Sequence, residues 1–101
     1  MATTSKALFR GAATTTLTTT LYTVPASTTT VVTNIVVTNT AASAATFDLA
    51  LNGTKLADAV AIAADSIAVI DLKQVISATQ IIAGGASATT VNFHISGVEI
   101  V

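Results

Sequence analysis

The stretch Leu21–Asn39, LYTVPASTTTVVTNIVVTN, decides the fold class of this chain. It contains two runs of apolar and β-branched residues, separated by a break at Pro25. Branched side chains favour strands, whereas proline lacks an N–H and ends a strand or lies at its edge. Valines occupy both alternating sets of positions in Val31–Asn39, so we expect a central strand that is covered on both faces. The stretch therefore predicts two strands joined by a turn over Ala26–Thr30.

The N-terminal side of this stretch has a similar but weaker pattern. Leu17–Val24 alternates as a strand does, and Ala7–Arg10 is a shorter strand candidate. The segment Met1–Ser5 is small and polar, and chain ends of this kind are flexible unless they are tied down. We therefore expect an N-terminal arm over residues 1–12 and one domain over residues 13–101.

The clearest turn signal on the C-terminal side is Asn52-Gly53. A two-residue type I′ turn needs positive φ at both positions, which asparagine and glycine adopt most readily. We expect a hairpin in which Thr54–Ala57 returns along Thr46–Leu51. The alanine-rich Ala57–Ala64 also fits a helix, but its neighbours favour a short extended piece that ends at an Asp65-Ser66 turn.

Three further strands are expected toward the C-terminus, at Ile67–Leu72, Thr79–Ala83 and Thr90–Val101. Between them we expect one helical turn over Lys73–Ala78 and a flexible turn over Gly84–Ala88. In the last strand, Val98 and Ile100 are out of phase with the apolar residues before them. A β-bulge at Gly97 would restore the phase and place them on the core side.

About eight short strands with turn signals between them predict an all-β fold, an antiparallel β-sandwich of the jelly-roll type. A chain of 101 residues is long enough for one core of this kind. The alternation assigns twelve apolar residues to that core: Leu17, Leu21, Ile35, Val37, Phe47, Leu49, Leu51, Ile67, Val69, Ile81, Phe93 and Ile95.

The composition is unusually neutral. Charged residues make up 9% of the chain, against about 25% in ordinary soluble domains, while threonine and alanine each occur 20 times. A surface with so few charges is easier to explain if other subunits cover part of it, although a threonine-coated monomer is the alternative. The net charge of −1 gives no basic footprint for nucleic acid or anionic lipid. The apolar runs are too short for a spanning helix, and no signal peptide is recognisable.

Few residues in the sequence suggest chemistry. There is no cysteine, and the one histidine, His94, alternates with Asn92 and Ser96, which suits a solvent or interface face. The five carboxylates are scattered singly, and Asp48 is expected to face away from the core. The segment Asp48–Gly53 lacks most ligands of a calcium loop. We therefore expect no catalytic, cofactor-binding or metal-binding residues, and no enzyme activity.

Four segments in fixed order resemble a group of small virion proteins of tailed bacteriophages. They are LYTVPAS, VVTNIVVTNTAASAATFDLAL, VAIAADSIAVIDL and FHISGVEI, within residues 21–101. The motifs mark strands and turns, and they contain no catalytic residues that the resemblance would assign to this chain. The chain departs from the group where relatives often have an insertion after the ATF strand, because Asn52-Gly53 makes a compact turn there.

The resemblance implies a β-sandwich module of a virion. The first expectation is a capsid decoration (cement) protein, made in the host cytoplasm, that binds the major capsid protein on the outer shell as a trimer. Its arm, residues 1–12, would reach a neighbour. The second expectation is a tail, neck or baseplate component with the same fold. A glycan-binding module is disfavoured because the chain has only four aromatic residues, two of which are expected in the core.

Overall fold

Eight strands and no helix make up residues 2–101, the part of the chain that the computed structural model describes. Within those residues nothing forms a helix that could cross a membrane. The strands are β1 (Thr3–Ala12), β2 (Thr19–Thr23), β3 (Thr29–Asn39), β4 (Ala45–Leu51), β5 (Thr54–Ile62), β6 (Ser66–Ile76), β7 (Ile81–Ala86) and β8 (Val91–Ile100).

The strands form two four-stranded antiparallel sheets. The first sheet has the order β1-β8-β3-β6 and the second has the order β2-β7-β4-β5. Four of the six strand pairs form a set of nested hairpins. They are β1 with β8, β2 with β7, β3 with β6 and β4 with β5. This winding of eight strands into two sheets is a jelly roll. The predicted fold class is confirmed.

The core lies between the two sheets, and Phe47 and Phe93 form its centre. Their rings meet edge to face, with centroids 6.2 Å apart and an interplanar angle of 71°. Six of the twelve predicted core residues are buried, three are partly buried and three are exposed. The buried ones are Ile35, Val37, Phe47, Leu49, Phe93 and Ile95; the partly buried ones are Leu21, Leu51 and Ile81; the exposed ones are Leu17, Ile67 and Val69.

The assignment of Ile67 and Val69 to the core is wrong because both alternating sets of β6 are apolar. Ile70 pairs in register with the buried Ile35, so the set that contains Ala68 and Ile70 faces inward. Leu17 is exposed because it precedes β2. The buried side chains of this region are Tyr22, in β2, and Val24, directly after it.

Strand β3 is central in its sheet, as predicted, but only one of its faces is fully buried. Its register shifts between Val32 and Asn34 against both neighbours. Because of this irregularity Val32 and Ile35 both point into the core, although their positions differ by three. Val31 and Val36 lie on the other face and are partly exposed.

The N-terminal residues form an edge strand where the sequence predicted an arm. From Thr3 to Ala12 the chain pairs with β8, and Leu8 is buried in the core. The ten-residue β8 pairs the backbone groups on one side of this segment along its whole length, so its small polar side chains do not leave it free. Met1 lies outside the described residues.

Several local predictions can be compared with the strands. Asn52 and Gly53 have φ of 48° and 84° and join β4 to β5, which confirms the type I′ hairpin. The extended conformation of Ala57–Ile62 is also confirmed. The helical turn over Lys73–Ala78 is wrong, because β6 continues to Ile76 and still pairs with β3 from Gln74 to Ile76.

The two glycine predictions are wrong as well. Gly84 and Gly85 lie inside β7, and both are buried; the turn comes later, over residues 87–90. Gly97 is not a bulge. It continues the buried set of β8, and a Cβ there would meet the Val31 carbonyl oxygen. The irregularities fall on β1 and β3 opposite it, so Val98 and Ile100 stay on the outer face, partly exposed.

Candidate docking surface

One long edge of the sandwich carries most of the exposed apolar side chains. Seven large apolar residues are exposed among residues 2–101, and five of them lie on β5 or β6. We call these five, Leu56, Val60, Ile67, Val69 and Val75, the β5/β6 edge.

The two strands lie at the same side of the molecule. Strand β5 is the last of the second sheet and β6 the last of the first, and a short turn around Asp65 joins them. Natural proteins protect such edges with charge, proline or covering loops, since the unpaired backbone invites another chain. Here β6 has only two charged residues, Asp71 and Lys73, in eleven. A poorly protected apolar edge is typical of a surface that another protein covers.

A groove lies at one end of this edge, between the start of β5 and the end of β6. Its volume is about 390 Å³, and its lining mixes apolar and amide side chains with one threonine and one lysine: Leu51, Asn52, Thr54, Lys55, Leu56, Gln74, Val75, Ile76 and Gln80. No histidine and no carboxylate lines it. A lining of this kind can accept an apolar side chain and hydrogen-bond its backbone.

Beside the groove, Asp48 and Lys55 form an ion pair on β4 and β5. The Asp48 carboxylate is almost fully buried, and it accepts hydrogen bonds from the Lys55 ammonium and from the Ala59 N–H at 3.1 Å. Two residues of β5, Asp58 and Ala59, lie opposite the single Asp48, and Ala59 has a φ of 49°. This bulge directs the Ala59 N–H at the carboxylate.

The expectation that Asp48 faces away from the core is correct for the direction of the side chain, but the side chain is not exposed. The side chain leaves the core side of the sheet, because its neighbours Phe47 and Leu49 point inward, yet it is buried by β5. The hairpin could have suggested this pair, since a turn at Asn52-Gly53 sets Lys55 diagonally across from Asp48.

The pair shifts both pKa values. Hydrogen bonding from Lys55 lowers the pKa of Asp48 below 3.8, its ordinary value, and the Ala59 N–H adds to this against the opposing effect of burial. The hydrogen bond to Asp48 in turn raises the pKa of Lys55. The ionised carboxylate is therefore favoured in the folded state, and the pair stabilises the β4–β5 hairpin beside the groove.

Acid is expected to destabilise the protein through Asp48. A carboxyl whose pKa is lower in the folded chain contributes stability that is present above its unfolded pKa and lost as pH falls through its folded pKa. The midpoint of urea unfolding should therefore drop as pH falls below about 4. In Asp48→Asn we expect a lower midpoint at pH 7 and a smaller drop on acidification.

The matched control is Asp65→Asn. Asp65 is exposed in a turn at a φ of 50°, a conformation that asparagine also tolerates. The control should keep the pH dependence of the wild type. If Asp48→Asn lost as much stability on acidification as the wild type, the ion pair would not contribute in this way.

A second polar cluster ties the two sheets together at the opposite edge. The Tyr22 hydroxyl on β2 donates to the Glu99 carboxylate on β8, and it lies 2.9 Å from Thr30 Oγ1. Lys6 Nζ on β1 lies 3.3 Å from Glu99 Oε2. Burial, followed by the hydrogen bond to Glu99, raises the pKa of Tyr22. The Tyr22 hydroxyl, followed by Lys6, lowers the pKa of Glu99. Each of the four polar groups has a partner within the cluster, so the cluster has a structural role.

Asn39 is a third buried polar residue, and it fixes the loops at one end of the sandwich. Its Nδ2 donates to the Ser43 carbonyl oxygen at 2.9 Å and to the Ala63 carbonyl oxygen at 3.3 Å. Its Oδ1 accepts from the Ala41 N–H at 3.1 Å and from the Thr90 hydroxyl at 3.2 Å. This role was not predicted, because a polar residue at a strand end looks the same in the sequence whether it is buried or exposed.

The residues singled out in the sequence do not gather into a site. His94 is half-buried on the outer face of the first sheet, in register with Arg10 and Val36. Across residues 2–101, no three histidine, aspartate or glutamate side chains come close enough together to hold a metal ion. The arrangement that the structure brings together is the β5/β6 edge. The sequence had divided its residues between the core, two extended pieces and a helical turn.

Comparison with known proteins leaves the surface as the main guide to function. The chain matches no protein-family model and no curated protein.

Proposed function

We propose that this chain is a structural protein of a tailed-bacteriophage virion, and specifically a decoration protein. It binds the outer surface of the major capsid protein shell and stabilises the junctions between shell subunits, after synthesis in the host cytoplasm. The observation that carries the proposal is the apolar β5/β6 edge on a chain with 9% charged residues. A decoration protein needs such a surface, because it works by burying area against its neighbours.

Three further considerations support the proposal. Jelly rolls recur in viral capsid proteins, though a fold by itself does not define a function. The segments LYTVPAS and FHISGVEI resemble those of small phage virion proteins. A standard protein interface covers roughly 800 Å² per partner, about a sixth of the 5136 Å² surface of this chain.

The N-terminal segment does not support the proposal. An arm over residues 1–12 was expected to reach a neighbouring subunit. Because Thr3–Ala12 pairs along β8 of its own chain, that segment is already occupied. Docking is therefore assigned to the β5/β6 edge, with the groove beside it as the place where an apolar side chain of the shell inserts.

The direct test uses particles assembled from the genome that encodes this chain. Purified particles are analysed by mass spectrometry and by cryo-electron microscopy. We expect many copies of a jelly roll on the outer shell. Absence of the chain from purified particles would refute the proposal, and density confined to the tail, neck or baseplate would favour the tail component instead.

A binding experiment then tests the surface. Particles that lack the chain are mixed with purified wild type, with Leu56→Ser/Val60→Ser, or with Leu17→Ser. Leu17 and Val60 are each 43% exposed, but Leu17 lies outside the edge. The double variant should bind the shell at least about ten-fold more weakly, and Leu17→Ser should bind as the wild type does. If both variants lost the same amount of affinity for the shell, the β5/β6 edge would not be the docking surface.

A further inference from the structure

Strand β6 offers another chain a free backbone edge. It pairs with β3 on one side and is the last strand of its sheet, so no other strand of residues 2–101 satisfies its outer N–H and C=O groups. The strand is eleven residues long, which is long for an exposed edge that nothing protects.

The exposed side chains of β6 are nearly symmetric about Leu72. On the outer face, Asp71 and Lys73 flank Leu72, and Val69 and Val75 lie two positions further out. The two valines are 60% and 63% exposed. Within residues 2–101, neither Asp71 nor Lys73 is in any of the ion pairs, which involve Lys6 and Lys55.

We propose that two copies of this chain associate through antiparallel pairing of their β6 strands, about a two-fold axis at Leu72. In this register Asp71 of one copy faces Lys73 of the other, and Val69 faces Val75, each twice. Opposite charges and apolar side chains that face each other across antiparallel strands attract. A two-fold contact requires a surface that complements itself, and this strand has one.

Neighbouring registers are worse for the same side chains. An axis at Asp71 places the two aspartates opposite each other and a valine opposite Lys73. An axis at Lys73 places the two lysines opposite each other and Val75 opposite Asp71. Like charges directly opposite on a sheet repel, so the charges select the Leu72 register.

The pairing merges the two first sheets into one continuous sheet of eight strands. It buries Val69 and Val75, the second of which lines the groove, and leaves Leu56 and Val60 of the β5/β6 edge available. It is an even-numbered assembly, in contrast to the trimer expected from the sequence. The proposal does not depend on the capsid function, because the purified chain is sufficient to test it.

A charge exchange is the sharpest test. The molecular mass of the full chain is measured by sedimentation equilibrium over a range of concentrations, for wild type, Asp71→Lys, Lys73→Asp and the double variant Asp71→Lys/Lys73→Asp. Circular dichroism checks that each variant is folded. Wild type should approach twice 10.1 kDa. Each single variant creates like-charge pairs at two places and should dimerise at least about ten-fold more weakly.

The double variant restores both attractive pairs with their polarity reversed. Its dissociation constant should return to within about three-fold of the wild-type value. A wild type that stays monomeric or forms trimers overturns the proposal. So does a single variant that dimerises as well as wild type, or a folded double variant that does not recover. Dimers that form while shells stay undecorated would refute the capsid function and leave this pairing intact.

Discussion

Replacing Phe93 with alanine is expected to remove a large part of the stability of this protein. The Phe93 side chain is completely buried between the sheets, and its ring meets Phe47 edge to face at 6.2 Å. Truncation of a buried phenylalanine costs about 3–5 kcal/mol, through lost transfer free energy and the cavity left behind. Domains of this size are stable by about 5–15 kcal/mol in total. Phe93→Ala should therefore be marginally folded.

Equilibrium urea unfolding of the two proteins measures this loss directly. The control is Ile67→Ala, because Ile67 is 65% exposed on the outer face of β6. Its unfolding free energy should change by no more than about 0.5 kcal/mol, as is usual for surface positions. Both measurements are made at concentrations low enough for the monomer to dominate. A cost for Ile67→Ala similar to that for Phe93→Ala would mean that β6 is oriented the other way.

This contrast also shows where the alternation of side chains is informative. In β4 and β8, apolar side chains alternate with polar or small ones, so the inward faces that contain Phe47 and Phe93 could be predicted. In β6 both sets are apolar, and the sequence gives no reason to prefer Ile70 over Ile67. The structure decides through register, since Ile70 lies opposite the buried Ile35.

The candidate docking surface was missed for the same reason. Ile67 and Val69 were expected in the core, so the sequence could not mark them as exposed. Their exposure depends on which strands lie at the ends of the sheets, and that order is a long-range property of the fold. The neutral composition favoured a surface that other subunits cover, but it could not predict which surface that would be.

Turn chemistry was predictive where the turn is local and misleading where glycine has another role. Asn52-Gly53 specifies a hairpin because both residues adopt positive φ. Gly84-Gly85 looks similar in sequence but lies inside β7. There a Cβ would collide with the backbone of β4 or of the link before β2. Both segments lie far away in sequence.

Gly84→Ala is expected to destabilise the protein, although alanine is usually a better residue than glycine in a folded segment. A Cβ at Gly84 would lie 2.5 Å from the backbone oxygen of Asp48 and 3.0 Å from Leu49 Cδ2. The first of these atoms belongs to the paired neighbour strand β4, so no side-chain rotation relieves the contact. Overpacking of this kind costs about 1–3 kcal/mol, and more when backbone must move.

Gly11→Ala is the matched control, since Gly11 also lies in a strand but has room. A Cβ there would have as its nearest neighbour the Phe9 ring at 3.5 Å, an ordinary contact. Alanine reduces the conformational freedom of the unfolded chain, so this variant should be unchanged or more stable by up to about 1 kcal/mol. The same substitution should thus shift the unfolding midpoint in opposite directions at the two sites. If Gly84→Ala were as stable as Gly11→Ala, residues 84–85 would be the flexible turn that their sequence suggests, and β7 would not pack against β4.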